Sequence, residues 1–267
     1  MITVGIDPTI ELGPLTLAWH GLTTAAGVVA GVRLTALHAR ERKLPDMSGN
    51  LAVIAIVAGL IGARAFFLLE TDPGALLRPS EWVGTRGFAF NGALIGAGAA
   101  IALYVWSRAL SARYLDAVAL AFPLGMAIGR IGDVINGEHY GAPTQRPWGV
   151  RNTHPDAAVP DPTVAYHSGG LYEMVLAFAI FALVWPLRDR FRQPLAPLWL
   201  VLGLYALGRF FMFFFRSDSE ELALGLNGAQ WTSGALFALA VIGAGVSTHF
   251  LSDDDRLTRT WRRRPSA

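Results

Sequence analysis

The chain has 267 residues, 53% hydrophobic and only 16% charged, with a mean hydropathy of +0.41, so it has too little polar material to cover a soluble globule of this length. Its net charge of +2 and pI near 9.2 come without any basic patch interleaved with aromatics, so no nucleic-acid partner is expected. The absence of cysteine excludes disulfides, thiolate metal sites and any mechanism that passes through an enzyme thioester.

Runs nearly free of charge, each about as long as the roughly 20 residues that cross hydrocarbon, fall at 12–32, 51–69, 88–106, 114–131, 170–187, 195–215 and 229–251. They lack the alternation of a barrel strand, and backbone polar groups in lipid must be satisfied internally. The expected fold is therefore an all-α integral membrane protein, with residues 1–267 forming one seven-helix membrane domain. Basic residues gather at Arg40, Arg42 and Lys43, at Arg108 and Arg113, at Arg188, Arg190 and Arg192, and in a tail over 252–267. Seven crossings put all four groups on one side, which places the N-terminus outside and the C-terminus in the cytoplasm. No basic n-region or small-residue cleavage site accompanies the first run, so no cleaved signal is expected.

Along the chain, the first candidate for chemistry is His20, in the outer half of the first helix. Arg64 follows inside the second; a structural ion pair with Glu70 or Glu173 and a role in a site are equally open readings. Residues 70–87, rich in proline and glycine, suggest an extracytoplasmic loop with a short surface helix near Glu81 and Trp82. Asn91 and Gly92 begin the third helix beside other polar residues, whereas Gly96 and Gly98 read as helix-packing positions.

The segment from Gly129 to Gly141 holds two acids, an arginine, a histidine and four glycines directly after a hydrophobic run. Charges at a membrane boundary are expensive unless they face a wet cavity or a partner, so this segment marks a working site. Arg130 carries a guanidinium shaped to hold phosphate oxygens. Asp133 and Glu138 offer it ion pairs that only pin the helix end, a competing reading. Asn136 lies between them.

The stretch 142–168 carries five prolines and, with Trp148 and Tyr166, suggests an ordered lid at the interface. His167 opens the fifth helix as a possible acid or base, or as a structural cap, and Glu173 orients it or pairs with an arginine. In the sixth helix Tyr205 precedes Arg209, its only charge, and Arg216 follows two helical turns later. Two guanidiniums on one face repel unless an anion lies between them, and a lipid phosphate answers that need. Arg216 alone also fits an interfacial snorkelling arginine. Scattered histidines with no paired-ligand spacing give no metal site.

Together these segments resemble the bacterial prolipoprotein diacylglyceryl transferases. The resemblance rests on Trp19-His20-Gly21, Gly62-Ala63-Arg64, Phe90 to Gly96, the 129–141 motif, Pro147-Trp148-Gly149-Val150, His167 to Glu173, Tyr205 to Arg216, and Gln230 with Ser233, in the family's order. It implies transfer of the diacylglyceryl group of phosphatidylglycerol onto the lipobox cysteine of a preprolipoprotein signal peptide. The expected location is the outer face of the bacterial inner membrane, glycerol phosphate is released, and no cofactor or metal is required. Carried over by motif, Arg130, Glu138, Gly141, Tyr205, Arg209 and Arg216 match positions that look functional in the family.

Four positions depart from the pattern: Asn91 stands where the family has a histidine, Asp133 replaces an asparagine, His20 a tyrosine and Phe213 a glutamate. The catalytic set expected is Arg130, Arg209, Glu138, His20 and Asn91, with Arg216, Asp133, Asn136, Gly141, Tyr205 and His167 binding substrate. A guanidinium holds its proton too tightly to replace the missing base. Two readings stand. In one, His20, or else His167 or Asp133, takes the base role; in the other, the chain is an inactive relative that binds anionic phospholipid or a lipoprotein partner.

Overall fold

A computed structural model describes residues 1–13, 15–83, 87–216 and 221–250. The basic tail expected over 252–267 lies outside the described residues. Among the described residues, seven helices are long and apolar enough to cross a membrane. They are α1 (Trp19–Glu41), α2 (Ser48–Thr71), α3 (Phe90–Ser107), α4 (Arg113–Asn136), α5 (Gly169–Val184), α6 (Ala196–Met212) and α7 (Gly228–Phe250). A 3-10 turn at Trp185–Leu187 prolongs α5, and another at Phe213–Phe215 prolongs α6.

Two boundaries differ from the sequence reading for physical reasons. α1 begins at Trp19 and not near residue 12, because Thr9–Leu12 pairs antiparallel with Leu15–Ala18. α4 runs on to Asn136, since Arg130 and Asp133, one turn apart, pair with each other and keep the helix intact through the polar motif. Gly137, at φ 74°, then caps it in the left-handed conformation.

Short strands gather at the end of the bundle where α4 finishes. Here β1 (Ile2–Val4), β2 (Thr9–Leu12), β3 (Leu15–Ala18), β4 (Tyr140–Pro143), β5 (Val150–Asn152), β6 (Tyr166–Ser168), β7 (Glu221–Ala223) and β8 (Leu226–Asn227) form three small sheets. The largest has the order β1-β5-β6-β4, with β1 parallel to β5 and the other pairs antiparallel. The stretch read as a lid is thus built into a sheet. Asn152 ties that sheet to the helices, its amide donating to the carbonyls of Val134 and Ile135 at 2.8 and 3.0 Å.

α4 is the centre of the bundle, packed against α1 on one side and α5 and α6 on the other. Leu120, Ala177, Ile180, Val184, Val201 and Tyr205 form the core between the last three. α2 and α3 make their own pair, joined to α4 through Leu51, Ile101, Val105 and Tyr114. Gly92 and Gly96 belong to that α2–α3 contact: a Cβ on Gly96 would lie 2.6 Å from the Ala58 carbonyl, and one on Gly92 would strike the Gly62 carbonyl. Gly92 therefore packs helices.

The three described basic connections meet at the end remote from the sheets. Arg188 pairs with Glu41 at 2.9 Å, and Arg42 and Arg113 donate to the carbonyls of Arg188 and Phe191 at 2.5 and 3.1 Å. Buried Asp116 caps the start of α6 by accepting from Leu195 N–H at 3.0 Å. Arg64 pairs with neither Glu70 nor Glu173. Its Nε donates to the Glu81 carbonyl at 2.8 Å and Nη1 to the Gly87 carbonyl at 3.0 Å. It fixes the connection between α2 and α3, where a 3-10 turn forms at Pro79–Trp82 as expected.

Candidate active site

The site is assembled where α1 starts and α4 ends. Gly132 lets the two backbones touch, since a Cβ there would lie 2.5 Å from the Cα of His20. This approach brings His20 Nδ1 to 2.5 Å from Oδ1 of Asp133, although 113 positions separate them in the chain. The carboxylate is wholly buried, whereas the imidazole is 48% exposed. A buried anion on Nδ1 favours the tautomer with its proton there, leaving the Nε2 lone pair free to accept a proton.

Asp133 also begins a buried chain of charges. Arg130 donates to its Oδ2 and reaches Glu173 Oε2 at 2.7 Å. Arg209 and the Tyr205 hydroxyl both donate to Glu173 Oε1, and Arg209 Nη1 is 3.3 Å from the Tyr205 oxygen. Two arginines and two carboxylates thus neutralise one another, as buried charges must. Phe90 packs against both guanidiniums, its ring centre 5.2 Å from Arg130 Cζ and 5.1 Å from Arg209 Cζ.

Glu173 thus pairs with both Arg130 and Arg209. Arg209 keeps one buried donor, Nε, without a partner among the described residues. Tyr205, expected to bind substrate, is only 3% exposed and faces Glu173.

A half-exposed rim covers this chain. Glu138 Oε2 lies 3.7 Å from His20 Nδ1, and its Oε1 accepts from the Asn136 amide at 3.1 Å. Asn136 Oδ1 is buried with no partner among the described residues. His139 places Nδ1 3.2 Å from Arg216 Nη2 and Nε2 3.8 Å from Asp133 Oδ2. Burial, reinforced by Arg216 and Arg130, holds its pKa below the ordinary histidine value.

A 3-10 turn separates Arg216 from the helix that carries Arg209, and the two guanidiniums lie 4.7 and 4.9 Å from the centre of the same ring, Phe213. Gly141 pairs with the Arg216 backbone, and a Cβ there would strike the Phe215 carbonyl. Only glycine permits that closure of β4 against the end of α6.

Among the sequence candidates, His20, Arg130, Asp133, Asn136, Glu138, Tyr205, Arg209, Arg216 and Gly141 converge here. Two do not join the network. His167 bonds the Tyr172 hydroxyl and packs on Phe215, and burial with Arg146 lowers its pKa. Asn91, at the start of α3, makes no side-chain hydrogen bond with any described residue. Phe90 and His139 were not among the candidates. An aromatic beside Asn91 and a histidine inside the polar motif were the available signals. Glu173, seen only as an orienting or pairing group, is the hinge of the charge chain.

Among the described residues, two groups could hold a cation: Asp7 with His154 and Asp156, and His20 with Asp133 and Glu138. In the second, Arg130 already meets the charge of Asp133. The first is an exposed cluster with no buried donor.

Fold and site together define an integral membrane protein whose charges are enclosed among helices at one end of the bundle. The family model for prolipoprotein diacylglyceryl transferase matches residues 8–246. A phosphatidylglycerol–prolipoprotein diacylglyceryl transferase of Thermosynechococcus vestitus is 34% identical over 225 residues, 80% of this chain and 82% of its own. The like-named protein of Rhodospirillum rubrum is 32% identical over 256 residues, 90% of each chain. That of Pseudoalteromonas atlantica is 35% identical over 237 residues, 82% of this chain and 79% of its own. The chain belongs to the prolipoprotein diacylglyceryl transferase family.

Proposed function

We propose that the protein transfers the diacylglyceryl group of phosphatidylglycerol to the lipobox cysteine of a preprolipoprotein, with His20 as the base and Asp133 as the group that orients it. The observation that carries this reading is the 2.5 Å contact between half-exposed His20 and wholly buried Asp133. Two of the four positions that depart from the family pattern are therefore in contact, and together they supply what Asn91 cannot. The bundle end bearing the sheets would face outward from the inner membrane, with the basic connections in the cytoplasm.

His20 Nε2 takes the thiol proton, and the free thiol pKa of about 8.5 makes such help useful near neutral pH. The thiolate attacks the glyceryl carbon that carries the phosphate ester. A sulfur–carbon bond forms, the carbon–oxygen bond breaks, and its electron pair leaves with glycerol phosphate. Charge grows on the phosphate during that step, where Arg216 and the unpartnered Nε of Arg209 are the available donors. Glu173 keeps Arg130 and Arg209 fixed before substrate arrives, so the reaction needs little rearrangement of charge.

The test is transfer to a lipobox peptide by full-length protein in phosphatidylglycerol vesicles, followed by the peptide's mass. A diacylglyceryl adduct that His20→Ala abolishes is expected. No adduct under conditions where the Rhodospirillum rubrum relative forms one would refute the reading and favour an inactive, lipid-binding relative. An adduct that survives His20→Ala would remove His20 from the base role.

A further inference from the structure

We propose that His139 is a positioning residue for the lipid phosphate: its neutral Nδ1 accepts a hydrogen bond from Arg216 and holds that guanidinium over Phe213, at the half-exposed rim. The inference rests on the transfer reading for its substrate, but its test needs no transfer.

The geometry is specific. Arg216 Nη2 is 3.2 Å from Nδ1, and the guanidinium carbon sits 4.7 Å from the Phe213 ring centre. The backbone of His139 is held at φ 61° and its carbonyl accepts from Gly169 N–H at 2.8 Å, so the ring is anchored independently of its contacts. Gly169 must lack a side chain for this, because a Cβ would lie 2.6 Å from that carbonyl and 3.3 Å from Arg216 Cδ. The backbone is thus shaped around the imidazole–guanidinium contact.

The acceptor exists only while the ring is neutral. An imidazolium carries N–H on both nitrogens and has no lone pair to offer, and its charge would then stand beside Arg216. The charged groups that face the ring are Arg216 beyond α6, Arg130 and Asp133 on α4, and Glu138 beside it. Burial and the two arginines outweigh the two carboxylates, which keeps the ring neutral near pH 7. Acid removes this hydrogen bond to Arg216, and with it part of the hold on the phosphate.

Two substitutions separate this role from backbone strain. His139→Gly removes the acceptor while tolerating the positive φ. His139→Asn keeps an acceptor, since Oδ1 branches from Cγ where Nδ1 does, and asparagine also adopts this conformation. Asparagine does not titrate.

The experiment measures binding of short-chain phosphatidylglycerol to the full chain in detergent, in a series from about pH 7.5 down to about pH 4.5, with diacylglycerol of the same chains as the phosphate-free probe. Loss of one hydrogen bond to a charged group predicts binding about tenfold weaker for His139→Gly at the higher pH. The unchanged protein should weaken progressively on acidification and approach a similar factor only once the pH is below the depressed pKa of His139, whereas His139→Asn should stay within about twofold across the series. Arg216→Gln should weaken binding, and adding His139→Gly to it should do little more, because the two act as a unit. Diacylglycerol binding should not respond to any of them. Wild-type affinity in His139→Gly, or an unchanged acid loss in His139→Asn, would overturn the proposal. Should the glycine variant fail to fold, the asparagine pH profile still decides. A protein that binds as expected yet transfers nothing would sink only the transfer reading.

Discussion

Glu173 is the residue whose loss the structure makes most expensive. It is 1% exposed and accepts from Arg130, Arg209 and Tyr205. Glu173→Gln keeps the shape but removes the charge, and it turns an amide donor towards a guanidinium. Arg130 retains Asp133, but Arg209 retains no carboxylate.

Breaking one partner out of a buried ion pair costs about 3–5 kcal/mol, because an uncompensated charge is left behind. A chain of this size moves its unfolding temperature by about 2–4 °C per kcal/mol. The expected fall is therefore about 6–20 °C, read by thermal unfolding in detergent at constant lipid content. The double variant Glu173→Leu with Arg209→Met removes one charge of each sign and should be more stable than Glu173→Gln alone. A fall below about 2 °C for the single variant, or a double variant as unstable as the sum of its parts, would show that Glu173 does not neutralise the arginines.

Three further outcomes follow from the same contacts. Asp133→Asn, with His20 intact, should reduce kcat by about 10²–10⁴ while lipid still binds, because a neutral amide no longer favours the productive imidazole tautomer; unchanged kcat in the peptide assay would remove Asp133 from the orienting role. Gly132→Ala places a Cβ against the backbone of His20 and should cost about 1–3 kcal/mol of stability with a matching loss of turnover, both checked on one preparation. His139 and His167 have folded pKa values below the ordinary one, so the unfolded chain binds more protons once pH drops under about 6.5. Their contribution to stability is present above that pH, is lost as pH falls towards the depressed folded values, and changes no further below them. Thermal unfolding across about pH 5 to 7.5 should show a smaller acid loss when both histidines are replaced by asparagine.

The sequence by itself determined the membrane frame. Seven long apolar runs leave the backbone no option but helix in lipid, and the basic connections need an odd number of crossings to fall together, so both were legible without any contact. It also located the polar end, since a segment such as 129–141 is tolerable at a membrane edge only around a site. Ends of elements were less legible: the start of α1 depended on β2 pairing with β3, and the end of α4 on a pair one turn apart.

What only the tertiary structure decided was which charges pair. From the sequence, Arg209 and Arg216 demanded an anion, read as a lipid phosphate, and Glu173 was only one of several groups that an arginine could meet. Packing of α4, α5 and α6 pairs Glu173 with both Arg130 and Arg209, because a buried guanidinium must be neutralised even before substrate arrives. The base was undecided among His20, His167 and Asp133 for the same reason. Local chemistry put His20 ahead of the other two, and the close passage of α1 over Gly132 is what sets the half-exposed His20 against a buried carboxylate.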